Sequence, residues 1–214
     1  MTRKIVIATT NKGKAAELVA MLGAFDADVD WLTLADFGEM PEVAEDGLTF
    51  AENARKKALG YARATGHWTL ADDSGLVIDA LGGAPGVHSA RFSDPLKSNA
   101  GRELLDHRNM AKVLDLMKDV PDEDRAAQFV CSLCLASPGG VLIETEGRLA
   151  GRIARAERGG GGFGYDPIFF LPERNATVAQ LDSVEKNTIS HRSEAVRRLR
   201  PLLAALIKGV PPQA

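Results

Sequence analysis

The chain has 214 residues, of which 45% are hydrophobic and 26% charged, and its formal net charge at pH 7 is −3. This composition is typical of a globular protein and excludes an intrinsically disordered chain; the length suits one large domain or two lobes sharing a core. The acidic balance argues against a nonspecific nucleic-acid binder. No apolar run approaches the roughly 18 residues of a spanning helix, and the N-terminus turns polar too early for a signal peptide. We therefore expect a soluble, cytoplasmic protein without a membrane or nucleic-acid partner.

Strands and helices alternate along the first half of the chain. The sequence predicts a strand at 4–8, followed by a helix that is capped by Thr10 or Asn11 and has Leu18, Met21 and Leu22 as its buried stripe. A strand at 29–34 and a helix at 48–64 follow, and the helix carries Ala54, Ala58, Tyr61 and Ala62 on one face. Strands at 68–71 and 76–78 are predicted around a polar turn DDSG, and then an ordered loop at 82–95 and a helix at 98–118.

A predicted hairpin opens the second half, with strands at 128–136 and 141–153 joined by SPGG. A glycine run at 159–162, a short strand at 168–171 and a last helix from about 192 to 207, capped by Ser190, complete the chain. Alternation followed by a hairpin predicts an α/β fold with a mixed sheet, bilobed but not divided by a linker.

Two cysteines, Cys131 and Cys134, have C-x-x-C spacing in a segment that alternates as on a half-buried strand. Residues three apart in a strand point to opposite faces, so the two thiols cannot share a metal ion without a bend. No second Cys or His pair follows at zinc-site spacing. We expect both to be core or edge cysteines in a reducing compartment.

The segment Thr9–Lys14 (TTNKGK) joins the end of a predicted strand to the start of a helix. Helix N-termini offer unpaired N–H groups and partial positive charge, which suit a phosphate. Lys14 in the first turn opposes the helix dipole and is disfavoured there without an anion. The Walker pattern is absent, and a capped surface helix with a solvated lysine is the alternative interpretation.

Two acidic pairs predict part of a metal–phosphate site. Glu45-Asp46 precedes the helix that carries Asn53 and Lys57, which share one helical face because they are four residues apart. Asp72-Asp73 lies where a strand is predicted to end, the usual position of active-site groups in α/β sheets. Mg²⁺ is usually held by one or two carboxylates together with substrate phosphates. The alternatives are a solvated surface for the first pair and an Asx-rich turn for the second.

Two later segments carry groups suited to a flat ligand. Phe163 stands between glycines in GGGGFGYDP, where the backbone can approach a ligand closely and the ring is available to stack on a base. A flexible turn with a core phenylalanine is the alternative. In KNTISHR, His191 and Arg192 fall in the first turn of the last helix, where cations are again disfavoured without a ligand. A lone histidine is more often structural.

Taken together, six segments resemble the inosine triphosphatase family, also called the non-canonical purine NTP pyrophosphatases. They are T-x-N-x-x-K at 9–14, EDGLTFAENA at 45–54, ADDSGL at 71–76, GGAPGVHSARF at 82–92, GGFGYDPIF at 161–169 and SHR at 190–192. The resemblance implies an elongated, bilobed single domain of α/β fold over 1–214, with a twisted mixed sheet flanked by helices and an active-site cleft between the lobes. It also implies a homodimer, and Mg²⁺-dependent cleavage of a purine nucleoside triphosphate (ITP, dITP or XTP) to the monophosphate and pyrophosphate.

The resemblance also implies a role for individual residues. The triphosphate would be bound by Thr9, Thr10, Asn11, Lys12, Gly13, Lys14, Asn53 and Lys57. Asp73 would be the proton acceptor and a Mg²⁺ ligand, with Glu45 as second ligand and Ser74 touching substrate. The base pocket would contain Phe163, Gly164, Tyr165, Asp166, Lys186, His191 and Arg192. Many relatives carry two glutamates before the T/D-G step, whereas this chain has Ala44-Glu45-Asp46, which makes Asp46 a further candidate ligand.

Hydrogen-bond polarity predicts the base preference. Arg192 and a protonated His191 offer donors only, which pair with the 6-keto oxygen of hypoxanthine or xanthine and not with the 6-amino group of adenine. The kcat/KM for ITP is therefore expected to be far higher than that for ATP. Two rival functions use the same parts: a phosphotransferase, and a nucleotide-sensing module without turnover. Product analysis separates all three.

Overall fold

The structure, a computed structural model, describes residues 2–23, 29–94 and 101–209. The strands are β1 (Arg3–Ala8), β2 (Val29–Thr33), β3 (Trp68–Ile78), β4 (Ala126–Ser137), β5 (Gly140–Ile153), β6 (Phe169–Leu171) and β7 (Ala176–Thr177). The helices are α1 (Lys12–Leu22), α2 (Phe50–Thr65), α3 (Arg102–Leu116), α4 (Ser183–Ile189) and α5 (His191–Ile207). Within these ranges, no helix is both long enough and apolar enough to cross a membrane.

In the described part of the chain, seven strands form one open sheet in the order β2-β1-β3-β4-β5-β6-β7. Strand β1 pairs in parallel with β2 and β3, whereas β6 pairs antiparallel with β5 and β7. The predicted α/β class with a mixed sheet is therefore confirmed. Strands β4 and β5 are neighbours joined by Pro138 and Gly139, as the predicted hairpin requires.

The chain divides into two compact units, which together make up the single α/β domain. Unit 1 comprises the described residues within 1–73, 131–147 and 191–214, and unit 2 those within 74–130 and 148–190. In unit 1, the predicted stripe of α1 packs with β1, β4 and α5, and the alanine face of α2 forms a second cluster. Unit 2 has its own core around α3, where Phe129 and Phe169 stack with ring centroids 4.2 Å apart. An active-site cleft between two lobes stays a prediction.

The predicted turn DDSG is wrong, because Asp72–Gly75 lies inside the continuous strand β3. Gly75 serves close packing instead of chain reversal. A Cβ at this position would lie 2.3 Å from the Ser89 hydroxyl oxygen and 2.9 Å from the Gly86 carbonyl oxygen. The glycine therefore lets the 82–94 loop approach the strand, and the Ser89 hydroxyl accepts a hydrogen bond from the Leu76 N–H at 2.9 Å.

Two short elements, β7 and α4, were not predicted. Helix α4 begins after Asp182, whose carboxylate accepts from the Glu185 N–H at 2.8 Å. The D-x-x-E spacing is a capping signal, but seven residues are too few to show a helical period. Ser190 ends α4, and α5 begins at His191, one residue before the predicted start. Residues 95–100, where the predicted loop ends and the predicted helix begins, lie outside the described residues.

Both cysteines are buried and free, but β4 is buried on both faces and not on one. Cys131 packs in the cluster of α1 and α5, whereas Cys134 packs against α2. Among the described residues, no group of three or more His, Cys, Asp and Glu side chains is arranged to hold a metal ion. The two thiols thus pack in different clusters, as the strand spacing predicted.

Burial raises the pKa of both thiols to about 12. At pH 8 the folded chain therefore holds on the order of a thousandfold less thiolate than an unfolded chain, since an unperturbed thiol has a pKa of about 8.5. We expect a disulfide reagent such as DTNB to react with neither thiol of the native protein within minutes, and with both at once in guanidinium chloride. Rapid labelling of the native protein at pH 8 would contradict this burial.

Candidate active site

Adjacent aspartates in the middle of β3 are the centre of the candidate site. Asp72 and Asp73 are both buried, and because successive strand residues face opposite ways they contact different partners. Asp72 pairs with Lys14 and Arg192, whereas Asp73 contacts Asn53 and Lys57. Each carboxylate thus has its own donors, which offsets the cost of burying two neighbouring acids.

Helix α2 directs two side chains at Asp73. Its start is fixed by a capping box, in which the Thr49 hydroxyl accepts from the Glu52 N–H at 3.1 Å and the Glu52 carboxylate accepts from the Thr49 N–H at 3.3 Å. Asn53 donates through Nδ2 to Asp73 Oδ2 at 3.1 Å, and its Oδ1 accepts from the Gly47 N–H at 2.8 Å. Asn53 therefore ties the loop before α2 to the aspartate on β3.

One ammonium group joins two of the predicted metal ligands. Lys57, one turn after Asn53, donates through Nζ to Glu45 Oε2 at 2.9 Å and to Asp73 Oδ1 at 3.3 Å. Burial alone would lower the pKa of Lys57, but the carboxylates of Asp73, Asp72 and Glu45 outweigh it and raise that pKa. Burial also raises the pKa of Asp73, against the opposing effect of Lys57 and Lys14.

The donor set fits a magnesium ion. Oxygen atoms of Glu45 and Asp73 converge on the Lys57 ammonium, so a cation near it would meet two hard carboxylate ligands. Mg²⁺ commonly takes one or two carboxylates and completes its shell with water and substrate phosphates. Asp46 is directed elsewhere: its carboxylate contacts Lys56 Nζ at 2.6 Å on the exposed side of α2. The structure therefore favours Glu45 over Asp46 as the second ligand.

The N-terminus of α1 is already capped from within the chain. Asn11 is the N-cap, and its Oδ1 accepts from the N–H groups of Gly13 at 2.9 Å and Lys14 at 3.2 Å. The Thr9 hydroxyl in turn accepts from the Asn11 N–H at 3.3 Å. Thr10 links β1 to this cap. A phosphate bound by these N–H groups would have to compete with the Asn11 side chain.

The anion that Lys14 requires in the first turn of α1 is Asp72. Lys14 Nζ lies 3.0 Å from Asp72 Oδ2, and Arg192 Nη2 lies 3.6 Å from the same oxygen. Arg192 also donates through Nη1 to Glu17 on α1. Burial alone would raise the pKa of Asp72, but Lys14, Arg192 and Lys57 hold it well below its ordinary value.

Arg192 and His191 are both buried in the first turn of α5. The guanidinium of Arg192 is engaged by Glu17 and Asp72, so acidic residues of this chain offset the unfavourable helix dipole at its position. The contact of His191 and Arg192 with a base stays a prediction.

Unit 2 holds the remaining predicted residues as a separate group. The Asp166 carboxylate accepts from the Phe163 N–H at 2.9 Å and from the Lys186 ammonium at 2.5 Å. Lys186 Nζ also lies 4.5 Å from the centroid of the Phe163 ring, within cation–π range. Gly164 has φ of 64°, and Tyr165 donates its hydroxyl hydrogen to the Ser89 carbonyl at 2.8 Å. Ser74 is only partly buried on β3.

A model of the Ham1 family matches residues 5–202 of this chain. The chain belongs to the Ham1 family. The resemblance inferred from the six sequence segments is thereby confirmed.

Curated relatives and solved structures agree with the Ham1 assignment. The chain is 49% identical over 207 residues to a protein of Geobacillus kaustophilus named dITP/XTP pyrophosphatase, covering 97% of each chain. It is also 49% identical over 200 residues to a protein of the same name from Geobacter sulfurreducens, covering 94% of this chain and 96% of that one. The structure of a HAM1 protein from Coxiella burnetii superposes with a TM-score of 0.82 at 39% identity, covering 94% of this chain and 98% of that one.

Sequence reasoning missed two acidic residues of this Ham1 chain. Glu17 follows Lys14 by one turn of α1, but no local signal connects it to Arg192, which is 175 positions away. Asp106 on α3 accepts from the Gly164 N–H at 3.0 Å. Its i,i+4 spacing from Arg102 predicts only a surface ion pair.

Proposed function

We propose that this chain is a nucleoside triphosphate pyrophosphatase. It hydrolyses non-canonical purine nucleoside triphosphates (ITP, dITP and XTP) in a Mg²⁺-dependent reaction to the monophosphate and pyrophosphate, and so cleanses the nucleotide pool. The observation that carries the proposal is the convergence of Glu45 and Asp73 on Lys57, beside the Lys14–Asp72 pair. The names of the curated Ham1 relatives supply the substrate class.

The lysines supply the charge that a triphosphate needs. A bound nucleoside triphosphate carries about four negative charges, and opposite charges 4 Å apart attract by roughly 4 kcal/mol at an effective dielectric of 20. Lys57 and Lys14 are held in place by carboxylates before substrate binds, so little reorganisation is needed. Asp72, Asp73 and Glu45 offset the charges of these two lysines, so the proposed Mg²⁺ would supply the further positive charge that the triphosphate needs.

Asp73 is the group proposed to take the proton from the attacking water. Its buried carboxylate has a raised pKa, which suits a base near neutral pH, and Asn53 fixes its orientation. Glu45 and Asp73 would hold Mg²⁺ together with substrate phosphates, and the bound ion would neutralise charge on the leaving pyrophosphate. Lys57 contacts both carboxylates and would stabilise the negative charge that develops on the phosphates.

The Phe163–Asp166 segment and Lys186 are proposed to recognise the base. The Phe163 ring offers a stacking face, and the Lys186 ammonium offers donors for a keto oxygen. His191 and Arg192 are proposed to add donors opposite the 6-keto group, although Arg192 also serves Asp72. We also propose that the chain works as a cytoplasmic homodimer, as the resemblance stated from the sequence implies.

The products distinguish the proposed reaction from its rivals. With Mg²⁺, ITP is expected to give IMP and pyrophosphate in equal amounts and no IDP, and in ¹⁸O-labelled water the label is expected in IMP, because attack is at the α-phosphorus. Chromatography and mass spectrometry measure both. IDP with orthophosphate, or transfer to an acceptor, would contradict the proposal, and binding without turnover would favour the sensing module.

A further inference from the structure

The turn that carries Phe163 is tied down by two carboxylates at consecutive N–H groups. The Phe163 N–H donates to Asp166 within the turn, and the Gly164 N–H donates to Asp106 Oδ2 on α3 at 3.0 Å. Gly162 and Gly164 both have positive φ, 73° and 64°, so the backbone adopts a conformation that few other residues allow. At Gly162, moreover, a Cβ would lie 2.0 Å from Asp166 Oδ2.

Asp106 is itself held in position. Its side chain is only 13% exposed, and its second oxygen, Oδ1, pairs with Arg102 Nε at 3.0 Å one turn earlier on α3. Asn109 lies on the turn of α3 that follows Asp106. It accepts from the Ser93 N–H and hydroxyl, each at 2.7 Å, and donates to the Ser89 carbonyl at 3.3 Å. Helix α3 is thus fixed to the 82–94 loop.

The same loop also receives the turn. Tyr165 donates its hydroxyl hydrogen to the Ser89 carbonyl, which Asn109 contacts from α3. Asp106 thus binds the turn at the Gly164 N–H, and the next residue, Tyr165, binds the Ser89 carbonyl. Both bonds connect the turn to α3 and the 82–94 loop. The Phe163 ring, which is partly exposed and lies beneath Lys186, extends from the residue next to this anchor.

We propose that Asp106 is a positioning residue for base recognition: by binding the Gly164 N–H it fixes the Phe163 ring where a purine stacks. This inference rests on the proposed function. Asp106 belongs to unit 2 with the Phe163 turn, whereas the Glu45–Lys57–Asp73 cluster and the Lys14–Asp72 pair belong to unit 1, so we assign Asp106 to binding of the base and not to the chemistry at phosphorus. Loss of an oriented aromatic platform weakens base binding by a factor on the order of 10.

The test compares Asp106→Ala and Asp106→Asn with Asp115→Ala, a matched control on the exposed side of the same helix. Asp106→Ala is expected to raise KM for ITP by about tenfold with kcat changed less than about twofold. Inhibition by IMP, which carries the base, is expected to weaken by the same factor, while inhibition by pyrophosphate stays unchanged. Asp106→Asn keeps the shape and one acceptor oxygen and is expected to lie between Asp106→Ala and wild type; it also serves if the alanine variant does not fold.

The proposed function and the positioning role of Asp106 are tested by different outcomes. If the wild-type chain does not convert ITP to IMP and pyrophosphate, the proposed function is wrong. If the wild type does so and the Asp106 variants match Asp115→Ala, the positioning role is wrong. A fall in kcat at constant KM, or equal weakening of inhibition by IMP and by pyrophosphate, overturns it as well.

Discussion

Asp73→Asn is expected to lower kcat for ITP by about a thousandfold, within the range that proton transfer by one positioned side chain contributes. The amide cannot take a proton from water and binds a divalent cation poorly. Asparagine keeps one oxygen, which can accept from Asn53, while Lys57 keeps its contact with Glu45, so the fold and nucleotide binding are expected to survive. Steady-state kinetics and calorimetric titration with ITP in Ca²⁺ or Mg²⁺ measure the two effects.

Two further substitutions make this result specific. Asp46→Asn removes an exposed carboxylate that contacts only Lys56 among the ion pairs described for it, so its kcat is expected within about twofold of wild type. Asp72→Asn is expected to lower kcat less than Asp73→Asn but to reduce stability, since Asp72 balances Lys14 and Arg192. Equal loss of turnover from both aspartates, with both proteins stably folded, would mean that the roles within the pair are misassigned.

Arg192→Ala is expected to destabilise the protein by about 3–5 kcal/mol, the usual cost of removing one partner of a buried ion pair. The side chain is almost fully buried and contacts the carboxylates of Glu17 and Asp72. Without Arg192, these two negative charges would lose a cationic partner. The matched control is Arg198→Ala, an exposed partner of Glu194 on the same helix, expected to cost less than about 1 kcal/mol. Chemical denaturation measures both.

The ion pairs of Asp72 also make the stability of the protein depend on pH in the acid range. The pKa of Asp72 in the folded protein is below that of the unfolded chain, so its contribution to stability is present above about pH 4 and is lost as the pH falls further. That loss is expected to be smaller in Arg192→Ala, because one of the cations that lower this pKa is gone.

The ratio of kcat/KM for ITP over ATP addresses the second role proposed for Arg192. If its remaining donor capacity faces the 6-keto group, Arg192→Ala lowers the ratio as well as the rate. A variant that is less stable but keeps the wild-type ratio removes Arg192 from base selection.

Local patterns predicted most of the fold. Buried stripes predicted α1 and α2, the SPGG turn predicted the β4–β5 hairpin, and α1 begins after Asn11, one of its two predicted caps. The break predicted in β3 was wrong because Gly75 has a packing partner, Ser89, that lies fourteen positions later and leaves no local trace. A glycine that serves a close approach and a glycine that serves a turn look alike in sequence.

In the candidate site, as in the fold, single segments predicted local features but not the contacts between residues far apart in the chain. The helix dipole predicted that Lys14 needs an anion and that Arg192 needs a ligand, but not that Asp72 contacts both. The spacing of Asn53 and Lys57 predicted a shared face, and the structure adds that this face meets Asp73. Contacts across many tens of residues depend on the register of the sheet, which no single segment encodes.

The order of the two units along the chain has a consequence for synthesis on the ribosome. The chain passes between them after residues 73, 130, 147 and 190, so neither unit is encoded as one continuous piece. All of unit 2 has been translated before α5, the last segment of unit 1, emerges with Arg192. Every nascent chain therefore carries Asp72 before its arginine partner exists, and a fragment that ends before α5 lacks that cation however well its remaining residues fold.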